Sequence, residues 1–151
     1  FILYLRFLYL GYECFCFIFR PRVRGAYVIV TLNQKILIIQ NSYKPGWTLP
    51  CGMINRQESE VDGAARELYE EVGISSQTKD LVFLKEYISL EGYKKDHQFF
   101  FLLALKKPTN IRLDMREVIN YRWVSVDELI EVPLTDSVRS VINDFKSFIF
   151  N

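Results

Sequence analysis

The sequence predicts an α/β fold in which a mixed β-sheet carries helices on its faces. Strand-rich runs come in hairpin-like pairs, and helical periodicity lies between and after those pairs. That order suits a mixed sheet with helices packed on its faces, not an all-parallel doubly wound one.

The first element is an apolar segment. Phe1–Phe19 (FILYLRFLYLGYECFCFIF) is followed by Arg20-Pro21-Arg22. Its length matches a bilayer-spanning helix, and flanking arginines suit a cytosolic side. Arg6 and Glu13 oppose a span, because each costs about 2.5–3.5 kcal/mol near a bilayer centre. A cleavable signal is not expected, since the charges follow the apolar run and no small-x-small site ends it. Residues 1–22 are therefore set apart from a domain over 23–151. Three roles stay open for the segment: packing on the domain or in a homodimer, attachment to a membrane surface, and a true span.

After Pro21, Gly25–Leu32 (GAYVIVTL) and Lys35–Gln40 (KILIIQ) are β-rich runs separated by Asn33-Gln34, which reads as a hairpin. A loop closed by Pro45-Gly46 leads to a short extended piece, Trp47–Pro50, and a second loop over Cys51–Gln57. Ser59–Val72 has helical period, with Val61, Ala64, Ala65, Leu68 and Val72 on one face and Gly73 placed to end the helix. Leu81–Leu90 and His97–Leu105 read as paired strands joined across Glu91–Asp96, and Tyr121–Val124 as a short strand. Ser125 with Glu128 makes a capping box for a brief helix ended by Pro133. A last helix begins near Thr135-Asp136 and turns Val138, Val141, Ile142, Phe145 and Ile149 inward.

The chain has 151 residues, about one domain, and half of them are apolar, so it is long and apolar enough for one substantial core. A net charge of +1 gives no general field for nucleic acid, so a nucleotide would be held by a local site. Cys14, Cys16 and Cys51 are an odd set without a disulfide framework, which suits a reducing, cytoplasmic compartment. Membrane association through the N-terminus is the alternative.

The chemistry concentrates in one helix. Glu67, Glu70 and Glu71 stand at i, i+3 and i+4, within about 100° of one helix flank. Glu67 and Glu71 are like charges one turn apart, which costs a few tenths of a kcal/mol. Arg66 can pair with Glu70, but one cation does not neutralise the group. A hard divalent cation such as Mg²⁺, which takes oxygen ligands, explains the arrangement. An acidic, solvated helix face would explain it equally well from the helix alone.

The neighbouring residues decide between the two. Gly52, Glu58 and the run Arg66-Glu67-Leu68-Tyr69-Glu70-Glu71-Val72-Gly73-Ile74 resemble the Nudix box, G-x5-E-x7-R-E-U-x-E-E-x-G-U, where U is aliphatic, and every fixed position matches. Tyr43–Pro50 (YKPGWTLP) is similar to the family's lead-in to the box, and Trp123 with Asp127-Glu128-Leu129 to its closing strand and helix. The resemblance covers roughly Val23 to Phe148 and implies the family's α/β/α sandwich with a mixed central sheet.

It also implies a hydrolase that cuts a nucleoside diphosphate linked to another moiety, with Mg²⁺ or Mn²⁺ neutralising the diphosphate while water attacks phosphorus. Carried over by position, Glu70 and Glu71 are the main metal ligands, joined by the Gly52 carbonyl. Glu67 binds metal or acts as general base, and whether Glu67, Glu71 or a loop residue is the base stays open. Arg66 orients the glutamates, and Glu58 braces the junction of loop and helix. A later loop often adds a ligand or base in this family, for which Glu117 is the candidate, ahead of Asp114 and Asp96.

Around that centre, Tyr43, Trp47 and Tyr93 offer aromatic faces to a base, and His97, the only histidine, stands at a strand start as a substrate contact. Each has an ordinary structural role as its alternative. Cys51 and Met53 stand where the family more often has glycine, and Cys51 is read as a tolerated small residue.

Marks of particular subgroups are missing. No proline lies between Gly73 and Lys107, where the ADP-ribose subgroup has one, and Tyr87 and Tyr93 only bracket the diadenosine-polyphosphate tyrosine. The coenzyme A subgroup's upstream motif is absent. A nucleoside di- or triphosphate or a nucleotide sugar, a small-molecule nucleotide and not nucleic acid, remains as the expected substrate. The competing function is a catalytically weak nucleotide-binding or sensing module, membrane-associated through its N-terminus.

Overall fold

A computed structural model describes residues 2–89 and 94–150. The chain opens with α1 (Ile2–Phe19), of which only Cys16 is buried. Arg20 ends it in the left-handed region at φ 46°, its N–H still reaching the Cys16 carbonyl at 2.9 Å. The strands β1 (Arg22–Leu32) and β2 (Lys35–Asn41) follow as an antiparallel hairpin. Asn33 and Gln34, at φ 49° and 60°, form its two-residue turn with both central residues left-handed, as a right-twisted hairpin needs.

Next come β3 (Cys51–Met53), α2 (Glu60–Val72), β4 (Val82–Ser89), β5 (Lys95–Ala104) and β6 (Val118–Ser125). Short 3-10 turns stand at Thr78–Asp80, before β4, and at Glu128–Ile130, before α3 (Asp136–Asp144) and α4 (Lys146–Phe150). The sheet order is β4-β5-β1-β2-β6, with β3 added on the N-terminal half of β1. The pair β1–β5 is parallel and the other pairs are antiparallel, so the sheet is mixed as expected.

Alternation along the strands feeds two cores. Ala26, Val28, Val30, Leu37, Ile39, Phe101 and Leu103 meet Ala64, Leu68 and Val72 of α2 on one face. Ile29, Ile36, Ile38, Phe100 and Leu102 meet Val138, Val141, Ile142 and Ile149 of α3 and α4 on the other. Each fully buried Leu or Val contributes about 1.5–3 kcal/mol relative to exposure. Helix, sheet and helix thus form the α/β/α sandwich.

Several boundaries differ from the sequence reading. Cys51–Met53, read as loop, is a strand whose Ala26↔Gly52 pairing is supplied by the part of β1 that β2 leaves free; three residues carry too little alternation to show it. The last sheet strand starts at Val118 rather than Tyr121, because it follows β2 through a register shift at Gln40/Asn41. The capping box at Ser125 is present in both directions: its N–H donates to Glu128 Oε2 at 2.8 Å, and the Glu128 N–H to Ser125 Oγ at 3.4 Å. Tyr93 and most of the connection between β4 and β5 lie outside the described residues.

Candidate active site

Helix α2 is fixed at both ends by its own sequence. Ser59 caps its start by accepting the Asp62 N–H at 3.2 Å. Gly73 ends it at φ 72°, its N–H donating to the Tyr69 carbonyl at 3.0 Å. A side chain at Gly73 would be strained and would also press on the Arg112 backbone, 3.1 Å from its carbonyl oxygen. The apolar stripe lies on the sheet, which sends the carboxylate flank toward β3 and the stretch before β6.

Arg66 organises that flank. Its Nε and Nη2 grip the two oxygens of Glu58 at 2.8 and 2.9 Å, and Nη1 reaches Glu67 at 2.6 Å and Glu70 at 3.0 Å. Nη2 also donates to the Met53 carbonyl at 2.8 Å, and Glu58 accepts the Asn55 N–H at 2.9 Å. One planar guanidinium therefore ties the loop to two of the glutamates, a geometry lysine cannot reproduce. Hydrogen bonding to Arg66 holds the Glu58 carboxyl down at about 2.

Within the flank Glu70 is solvated, its side chain 55% exposed, whereas that of Glu67 is 14% exposed. Glu71 is 4% exposed and accepts the Cys51 N–H at 2.8 Å. Burial pushes its carboxyl well above the usual range; the Cys51 N–H opposes this, and the charges of Glu67, Glu117 and Glu70 add to it. Burial also raises Glu67, against Arg66 and with Glu70 and Glu117. Burial raises Glu117 too, followed by Asp114 and Glu70. Glu117 lies in the turn before β6, where the Ser42 N–H donates to its carbonyl at 2.8 Å.

Gly52 is where β3 meets this flank. A methyl group there would sit 2.1 Å from Glu67 Cδ, so only glycine lets the backbone approach that carboxylate. Among the described residues, no three Asp, Glu, His or Cys side chains converge as a ready metal cluster. The residues nevertheless suit a hard divalent cation in kind: Glu67 against the Gly52 backbone, buried Glu71, and the more exposed Glu70 and Glu117 are oxygen donors that repel one another.

On the other side of β3 a cavity of about 450 Å³ lies between the sheet and α1. Tyr43, Cys51, Gly52, Tyr27, Asp96 and Gln98 line it, with Tyr9, Tyr12 and Glu13 of α1 along one side. Tyr43 is thus brought to the same cavity as Cys51 and Gly52, and the charges of Glu71 and Glu117 reach its hydroxyl. Trp47 lines a neighbouring cavity with Pro133 and Leu134, its ring under the Arg122 guanidinium at 5.7 Å. His97 is not brought to the cavity; strand alternation turns it away, and its Nδ1 lies 2.6 Å from Glu86 Oε1. Its neighbours Asp96 and Gln98, 6% and 5% exposed, take the cavity side.

The Cys51 thiol is pushed up by burial, then by Glu71, so it stays protonated. Asp96 stands in the sequence only as a lesser candidate for the later ligand or base, and Gln98 and Asn41 are missed altogether. Two polar residues, two positions apart, at the start of the otherwise apolar run of β5 were the available signal.

With this geometry in place, comparison with known proteins agrees. A family model described as the NUDIX domain matches residues 21–145, and the chain belongs to the Nudix family. It is 29% identical over 115 residues to the phosphatase NudJ of Escherichia coli strain K12, covering 75% of this chain and 74% of NudJ. It is 25% identical over 111 residues to Nudix hydrolase 8 of Arabidopsis thaliana, covering 70% of this chain and 30% of that longer protein.

The fold is shared with a MutT protein from Methanosarcina mazei Go1, at a TM-score of 0.73 and 22% identity over 85% of this chain and 96% of that one. It is also shared with an Ap4A hydrolase from C. elegans, at 0.72 and 24% over 83% and 96%. Family, fold and box place the chain in the class of Nudix pyrophosphohydrolases.

Proposed function

We propose that the protein hydrolyses, with a divalent metal, a phosphoanhydride bond in a nucleoside diphosphate linked to another group, a nucleoside di- or triphosphate or a nucleotide sugar. The observation that carries this reading is the placing of Glu67 against the Gly52 backbone and of buried Glu71 on the Cys51 N–H, within reach of the charges of Glu70 and Glu117, with Cys51 and Gly52 also lining the cavity that holds Tyr43. Glu70, Glu71 and the Gly52 carbonyl would hold Mg²⁺ or Mn²⁺, with Glu117 as a further ligand. Bound there, the ion would neutralise diphosphate charge and favour attack by water.

The protein's own groups do the rest. Arg66 fixes the directions of Glu67 and Glu70 and anchors them to the loop through Glu58. Glu67 is assigned as the general base: its carboxylate lies against Gly52, itself a cavity-lining residue, and burial favours its taking a proton from water. Tyr43 provides an aromatic wall for the nucleotide. Phosphoryl transfer needs mainly positioning and charge stabilisation, which a braced helix beside a cavity can provide.

A panel of nucleoside di- and triphosphates, nucleotide sugars and dinucleoside polyphosphates, run with Mg²⁺ and with Mn²⁺, tests the reading. The expected result is metal-dependent release of a mononucleotide from at least one member. Binding of a nucleotide with no turnover across the panel would favour a sensing module instead.

A further inference from the structure

Helix α1 wears its polarity inside out. Its partly or fully buried positions are Leu5, Tyr9, Tyr12, Glu13 and Cys16, which share one face. That face is held on the domain by specific contacts. Arg6 Nε donates to the Ser42 carbonyl at 3.2 Å, the rings of Tyr9 and Tyr43 lie 5.5 Å apart, and Lys94 Nζ stands 5.4 Å from the Tyr12 ring centre. Both charged residues of the helix are engaged on the protein side, Arg6 at Ser42 and Glu13 along the cavity.

The outer face is apolar throughout. Leu3, Phe7 and Ile18 are 81%, 74% and 68% exposed, and Tyr4, Leu8, Leu10, Phe15, Phe17 and Phe19 are exposed with them. At 100° per residue, these nine side chains sweep about 200° of the circumference with no charge among them. A soluble domain ordinarily turns such a face inward, and a continuous exposed apolar patch marks a surface made for another phase or partner.

We propose that α1 is an interfacial helix whose outer face docks flat on an anionic lipid surface while its inner face remains the wall of the cavity. Three features favour lipid over a second copy of the chain or a span. A single facing helix covers roughly 100° of a neighbour, which would leave about half of this arc in water, whereas a lipid interface accommodates all of it. Arg20 and Arg22, both exposed, follow the helix directly and meet the charge of anionic headgroups. Lying flat keeps Arg6 and Glu13 in their contacts with the domain, whereas a span would carry both into hydrocarbon. The docking does not depend on the hydrolase reading.

Vesicle flotation of the full chain tests it, using phosphatidylcholine vesicles with and without phosphatidylglycerol, alongside light scattering for oligomeric state. The wild type should float with the phosphatidylglycerol vesicles and be released as salt rises. Phe7→Glu and Ile18→Glu, at fully outward positions, should each weaken partitioning about tenfold or more with unchanged circular dichroism and unchanged nucleotide turnover. Arg22→Gln should weaken it about fivefold on anionic vesicles only.

Failure to float would overturn the proposal, as would equal floating by the glutamate variants. A stable dimer that buries α1 and does not float would show a second copy on this face. Resistance to alkaline carbonate extraction would show a span; either result overturns flat docking.

Discussion

The Glu67 carboxylate and the Gly52 backbone are in contact so close that a β-carbon on residue 52 would lie 2.1 Å from Glu67 Cδ. Glu67 cannot simply swing aside, because Arg66 Nη1 holds it at 2.6 Å. Gly52→Ala should therefore displace the carboxylate and lower kcat by about 10²-fold, the scale set by an ångström of misplacement. Its melting temperature should fall as well, since the methyl group fits only if β3 or the Arg66-held carboxylate shifts. Gly73→Ala makes the complementary control: at φ 72° it should cost about 1 kcal/mol or more in denaturant unfolding and leave kcat close to wild type.

Arg66→Lys preserves charge and removes the planar fork. It should cost about 1.5–3 kcal/mol of stability, the worth of a hydrogen bond to a charged group, and lower kcat at least tenfold. Urea unfolding and steady-state kinetics on the same preparation check both. A lysine variant with wild-type kcat would show that the bracing of Glu67 and Glu70 is not used.

The same ion pair sets an acid limit. The Glu58 carboxyl is held at about 2 in the folded protein against 4.5 ordinarily. Its stabilising contribution is complete above pH 4.5 and is lost as pH falls through 2. Glu58→Gln should lower the melting temperature at pH 6 and flatten its decline between pH 4.5 and 2, measured by scanning calorimetry.

Glu71 has the opposite sign. Its carboxyl is raised in the folded protein, so without metal it contributes stability at low pH that fades as pH rises above the ordinary carboxylate range. Glu71→Gln should melt higher than wild type in EDTA at pH 8, with the gap closing at pH 5. Added Mg²⁺ should raise the melting temperature of the wild type and have much less effect on Glu71→Gln. Identical shifts in both proteins would remove Glu71 from the metal site.

What the sequence made legible follows from the range of each interaction. The Nudix box, the Ser59 cap, the Gly73 stop and the Asn33-Gln34 turn depend on neighbours within a few residues, so spacing alone reveals them. The burial of Glu71 depends on β3 lying across β1, a pairing between residues 25–27 and 51–53 that three residues of strand cannot announce. Position in the alternation of β5 explains His97. Phe100 on one core and Phe101 on the other fix the parity, which turns Asp96 and Gln98 to the cavity and His97 to Glu86. The contact of Tyr9 with Tyr43, across the boundary drawn between segment 1–22 and the rest, has no local signal at all.

The buried glutamate that Cys51 holds through its N–H, Glu71, is the centre of the proposed metal site. Its most direct test is the kcat of wild type and Glu71→Gln on one hydrolysed nucleotide at saturating Mg²⁺, with wild type also assayed in EDTA. A loss of at least about 10²-fold in the variant and no turnover in chelator are the expected results. Equal kcat in the variant, or undiminished wild-type turnover in EDTA, would contradict that site.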